Sequence, residues 1–155
     1  MKKTAKVIVI AAVLLLTISL PVFALQPTSQ FYVNDYTGTV DASVKNTLVE
    51  RGAALAGENG VQVVAVIVNN YIGESIEVYA NQIFNQFGIG KKGENNGILL
   101  MVAVDDGEVR IEVGDGLSYL LPDSKTGSII DETFLPYAKE GKLSTAIEKT
   151  YLSLI

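Results

Sequence analysis

Residues 88–104 read GIGKKGENNGILLMVAV, and the fold turns on what stands on either side of them. Gly88, Gly90 and Gly93 spell G-x-G-x-x-G, the spacing by which many loops cradle a pyrophosphate, but that grip works only where a strand feeds a helix N-terminus. Here the order is reversed. Upstream, SIEVYANQIFNQF (75–87) sets Ile76, Tyr79, Ala80, Ile83 and Phe87 at helical spacing, with Ser75 as a cap and Gly88 placed to end the helix in a left-handed turn. Downstream, 98–104 is an unbroken apolar run, the mark of a buried strand. A loop that leaves a helix and enters a strand offers a phosphate no helix N-terminus, so no nucleotide is expected. Lys91-Lys92 is not followed by Ser or Thr, which excludes a P-loop as well.

Working outward, VQVVAVIV (61–68) is a second apolar, β-branched run bounded by Gly60 and Asn69-Asn70, so it reads as a central strand buried on both faces. A right-handed crossover through helix 75–87 makes strands 61–68 and 98–104 parallel. Asp106-Gly107 then separates 98–104 from the alternating run 108–113, a hairpin signal suited to a type I′ turn. Val44, Leu48 and Leu55 share one face of a helix over about 42–56, with Asp41 or Ser43 to cap it and Gly57 to Gly60 to stop it. Two more helical patterns follow, Ile129, Ile130 and Phe134 after Asp123, and Ile147, Tyr151 and Leu154 after Ser144. Helices alternating with buried strands predict an α/β chain, a three-layer α/β/α sandwich around a small mixed sheet.

The chain opens MKKTAKVIVIAAVLLLTISLPVFALQ, with Lys2, Lys3 and Lys6 ahead of an apolar run, then Pro21 and the small Ala24. That is the pattern of a signal peptide over 1–24; an uncleaved anchor is the alternative. Residues 25–31 read as a linker and 32–155 as one domain. The chain is therefore expected to be exported, secreted or held at the outer face of the cytoplasmic membrane, where only the leader would touch lipid. Without the leader nine bases face 17 acids, and the net charge falls from −5 to −8. An acidic surface without a basic cluster disfavours nucleic acid and favours cations or basic partners. There is no cysteine and no histidine. Disulfides, Cys nucleophiles, Ser-His-Asp triads and His- or Cys-ligated zinc are excluded, leaving oxygen ligands, which suit calcium or, alternatively, magnesium.

In this topology the edge where strand 98–104 begins gathers Asn95, Asn96, Glu112, Asp115 and Asp123, an oxygen-rich set around a glycine-permitted turn. Asp105 and Asp106 fall at the opposite edge, where the hairpin turn accounts for them. Asp123 can cap the helix it precedes, or ligate.

The same residues resemble a known family. YVNDYTGTV, then GESIEVYANQIFNQFGIGKKGENNGILLMVAVDDGEVRIEVGDGL, LPDSKTGSIID and FLPYAKEGKLSTAI occur in the order found in the TPM domain family, also called the TPM phosphatase or YgcG family, over about 31–152. The resemblance implies an exported α/β/α sandwich, often membrane-associated. Some members bind calcium through loop carboxylates, and some plant members show weak acid phosphatase activity. Plant and cyanobacterial relatives are similar to photosystem-repair factors, and an animal relative to a receptor auxiliary subunit. Carried onto this chain, the expected metal residues are Asp35 of YVNDYTG, Asn95, Asp115 and Asp123. Asp35 has a turn role as its alternative. Two departures bear on them: Asn95-Asn96-Gly97 stands where the family commonly has Asp-Asn-Gly, and Asp115 where it often has an aromatic residue. The expected function is a calcium-binding module acting in assembly, maintenance or regulation of a membrane or envelope protein. A metal-dependent phosphomonoesterase and a purely structural domain are the alternatives.

Overall fold

The structure, a computed structural model, describes residues 25–73 and 75–155. The leader lies outside the described residues. From Val33 the order is β1 (Val33–Asp35), α1 (Ala42–Asn59), β2 (Gln62–Val68), α2 (Ile76–Phe87), β3 (Gly97–Ala103) and β4 (Glu108–Val113). A 3-10 turn (Asp115–Leu117) leads to α3 (Asp123–Ile129), a π turn (Ile130–Phe134), α4 (Leu135–Lys139) and α5 (Leu143–Ser153).

One four-stranded sheet runs β1-β2-β3-β4, with β1, β2 and β3 parallel and β4 antiparallel. The crossover and the hairpin are as the sequence predicts. β2 and β3 are buried almost throughout because both faces are covered. Their alternate side chains feed two cores. Val63, Ala65, Ile67, Ile98, Leu100 and Val102 pack against α1, the π turn and α5, while Val64, Val66, Leu99 and Met101 pack against Tyr79, Ala80, Ile83 and Phe87 of α2. The molecule is thus a three-layer sandwich whose sheet has a helix-rich side and a side covered by α2. Tyr151 of α5 reaches through the first core to donate a 2.7 Å hydrogen bond to the Val63 carbonyl, and burial pushes its phenol well above the ordinary range.

Local signals explain most boundaries. The Ser75 hydroxyl accepts from Val78 N at the start of α2, and Gly88 closes it at φ 63°. Gly60, at φ 80°, ends α1. Three features differ from expectation. β1 is a strand that the helical and apolar patterns did not announce. Asp106 does not take the left-handed backbone a type I′ turn needs; Gly107 alone does, at φ 68°, and closes a turn from Val104 whose central residues are Asp105 and Asp106. Residues 25–31, read as a linker, are fastened instead: Thr28 N donates to Asn34 Oδ1 at 2.7 Å, and Asn34 Nδ2 donates to the Phe31 carbonyl at 2.6 Å. Leu25 and Phe31 pack on the α2-side core.

Candidate functional site

The parallel strands give the sheet two chemically different edges. At the amino edge, where β2 and β3 begin, the glycine loop folds on itself around Asn96. The Asn96 Oδ1 accepts from Lys91 N at 2.8 Å, and its Nδ2 donates to Glu94 Oε2 at 2.9 Å. Gly90 N donates to Gln62 Oε1 at 2.8 Å, which ties the loop to the start of β2. The glycines permit backbone to lie on backbone. A Cβ on Gly97 would stand 2.6 Å from the Ile89 carbonyl oxygen, and one on Gly116 would overlap that of Glu94. Of the three glycines in G-x-G-x-x-G, Gly90 is the one so packed, against Gly97 N, while Gly88 and Gly93 stand open.

Asn95 takes φ 47°, the one positive φ outside glycine among the described residues. Its carbonyl accepts from Gly116 N at 3.1 Å, so Asn95 and Asp115 lie on adjoining, hydrogen-bonded segments, and both are exposed. Asp123 opens α3 after the loop that follows the 3-10 turn. It does not cap: the N-cap position falls on Pro122, and no side chain caps the helix. Its carboxylate sits in the first turn, where the helix dipole favours an anion. Asp41 stands at the N-cap of α1, likewise without a side-chain cap bond. Glu112 reaches α2, accepting from Asn81 Nδ2 at 3.3 Å, and pairs with Arg110 at 3.3 Å.

Asp35 is at the other end of the molecule. It pairs in register with Ile67, and Ile67 with Val102, which places it at the carboxyl edge. The four expected metal residues therefore do not share a site: Asp35 is separated by the length of the sheet from Asn95 and Asp115. Its carboxylate accepts from Thr37 N (2.9 Å), Thr37 Oγ1 (2.8 Å), Gly38 N (3.0 Å) and Val40 N (2.9 Å). Partial burial raises its pKa, but those four bonds to the charged form outweigh it and hold the group below the ordinary carboxylate value. The Asx-turn role accounts for its lone pairs. Asp106 is similarly engaged, accepting from Asn70 Nδ2 at 3.1 Å and Tyr71 N at 2.9 Å and so clasping the β2–α2 loop to the hairpin. Among the described residues no three acids are grouped as a metal would need.

Between the carboxyl ends of β1 and β2 and the flank of α2 runs a groove of about 560 Å³. Tyr36 and Tyr79 stand in it. Burial raises both phenols, Tyr36 further through its neighbour Tyr79. Sequence reasoning passed over this groove because its lining carries no charge and no motif; Tyr36 beside Asp35 was the only local cue. It lies where ligands of parallel α/β sheets are commonly held, outside the carboxyl ends of the strands.

Comparison with known proteins supports the same fold. A family model described as TPM domain matches residues 33–155. Among solved structures, the N-terminal domain of a P. gingivalis protein is 25% identical, with a TM-score of 0.73 over 79% of this chain and 78% of that one. The N-terminal domain of the cg2496 protein of Corynebacterium glutamicum is 16% identical, with a TM-score of 0.57 over 86% and 80%. The BA42 protein of the psychrophilic Bizionia argentinensis is 14% identical, with a TM-score of 0.60 over 73% and 77%. No curated protein matches the chain. No helix among the described residues is long and apolar enough to cross a membrane.

Proposed function

Because the chain belongs to the TPM domain family, we propose that it works outside the cytoplasm as a binding module for a membrane or envelope protein, with calcium taken by the amino-edge loops. One observation carries the cation reading: Asn95 and Asp115 are exposed on two backbone segments locked to each other by the Gly116 N to Asn95 O bond. A rigid turn bearing a carboxylate and an amide oxygen, with loop carbonyls beside them, matches the hard oxygen ligands calcium takes. Asp123 is the third candidate ligand, from the start of α3. One or two carboxylates make a weak site, in the range of about 10⁻⁴–10⁻³ M common to extracellular modules.

Binding is favoured over phosphate hydrolysis because, among the described residues, no three acids are grouped, which suits a weak cation site better than a centre that must also place a hydroxide. Asp35 and Asp106 spend their oxygens on the chain's own donors. A metal-assisted hydrolase needs acids free to hold its ion and place a hydroxide.

Calorimetric titration of residues 25–155 with calcium, and with magnesium as control, tests the reading. Saturable calcium binding, weakened about tenfold or more in Asp115→Asn and kept in Asp106→Asn, is expected. No heat beyond dilution at millimolar calcium would refute it. Turnover of a phosphomonoester above about 1 per second, abolished by Asp115→Asn, would replace it with the hydrolase.

A further inference from the structure

The carboxyl-edge groove has an unusual lining for so charged a protein. Its ten lining residues include no Asp, Glu, Lys or Arg. They combine apolar surface, such as the Tyr36 ring and the 77% exposed Ile72, with neutral hydrogen-bonding groups on Asn69, Tyr79 and Gln82. No hydrogen bond from another described residue reaches the side chains of Asn69 and Gln82 or the Tyr79 hydroxyl. A charged ligand would be desolvated there without a counter-ion, at high cost. Neutral amides beside apolar surface suit a polypeptide backbone, whose own groups must be paired when they leave water.

The groove already holds one. At its end the chain's first described residues lie across α2: Gln86 Nε2 donates to the Leu25 carbonyl, and the Tyr36 hydroxyl donates to the Gln26 carbonyl. Leu25 forms part of the lining. Main-chain oxygens are gripped by side chains of the groove while a leucine fills apolar space beside them, which is how extended segments are recognised in general.

We propose that this groove docks an extended, uncharged segment of a protein partner, continuing the path of residues 25–26, with Asn69, Tyr79 and Gln82 taking its main-chain groups and Ile72 and the Tyr36 ring its apolar side chains. The site deepens the partner reading above and rests on it. It lies at the end of the sheet opposite Asn95 and Asp115, so partner and cation would occupy separate places.

The probe is a capped peptide copying residues 19–24, SLPVFA, which ends where Leu25 begins, titrated into labelled residues 25–155 while the side-chain amide signals of Asn69 and Gln82 are followed by NMR. Saturable shifts at about 1 mM, the weak end of the affinity scale, are expected. Gln82→Ala should weaken binding about fivefold, as loss of one hydrogen bond does. Ile72→Asp, at an exposed position that leaves the fold intact, should weaken it about tenfold or more. A peptide with Asp-Glu in place of Val-Phe should not bind. Shifts elsewhere only, or shifts indifferent to Ile72→Asp, would overturn the assignment. So would phosphatidylcholine vesicles that perturb Asn69 and Gln82 where the peptide does not, because lipid would then be the occupant. Calcium titration of the same sample separates the two ideas. Peptide failure with intact calcium binding removes the groove alone, and peptide binding without calcium binding leaves the groove standing.

Discussion

Asp35 shows how much one side chain can organise. Its Oδ1 accepts from Thr37 and Gly38 and its Oδ2 from Val40, so both oxygens fix the path from β1 toward α1. An amide in its place keeps Oδ1 but turns an N–H₂ toward the Val40 N–H, setting donor against donor. Asp35→Asn should therefore lower stability by about 1–3 kcal/mol, read as a lower urea midpoint at unchanged slope. The charge matters as well. Because the folded pKa lies below the unfolded value near 3.8, the contribution is present above about pH 4 and fades as pH falls through the folded pKa. The gap in urea midpoint between wild type and Asp35→Asn should shrink on acidification below pH 4; a gap that stays constant would mean the carboxylate charge contributes nothing. None of these contacts could be read from YVNDYTG, which allows a turn or a ligand equally, because the choice depends on where the next five residues bend.

At the scale of elements, the helical glycines separate tight packing from open surface. In α1, a Cβ on Gly52 would collide with the Tyr151 hydroxyl and stand 2.9 Å from the Tyr32 ring, whereas Gly57 of the same helix and Gly127 of α3 meet nothing within 4 Å. Gly52→Ala should cost about 1–3 kcal/mol by overpacking. Gly57→Ala and Gly127→Ala should each gain about 0.5–1 kcal/mol from helix propensity. Thermal unfolding of the three variants should show opposite signs, and a stabilised Gly52→Ala would mean that α5 can withdraw from α1. Elements with a strong period were legible: α2 through its apolar face, Ser75 and Gly88; β2 and β3 through unbroken apolar runs; β4 through alternation after Asp-Gly. β1 was not, since three residues are too few to show a period and its pairing with β2 is a long-range event. The π turn escaped for a similar reason. Its Thr133 hydroxyl bonds back to the Ile129 carbonyl at 2.6 Å and meets Thr150 of α5 at 3.0 Å, a tertiary contact no local pattern carries.

For the whole molecule, the sheet divides the chemistry between its ends: locked backbone with exposed oxygens at the amino edge, and engaged carboxylates beside a neutral groove at the carboxyl edge. Reading from sequence put Asn95 and Asp115 on one edge, as the structure does, because the hairpin returns β4 to the start of β3. It could not place Asp35, because that required knowing that β1 exists and runs parallel. The excess of acids over bases adds a global effect, since net negative charge opposes the compact state and any salt should relieve some of that repulsion. Calcium at a site must therefore be distinguished from calcium as an ion. With a dissociation constant near 1 mM, tenfold excess calcium should add about 1.4 kcal/mol to the folded state, or roughly 3–6 °C in melting temperature for a domain of this size. Sodium chloride at equal ionic strength should give a smaller rise, and Asp115→Asn should reduce the calcium effect to the sodium one. Equal shifts from both salts in the unaltered chain would mean that the amino edge holds no cation and that its acids act only through the overall charge.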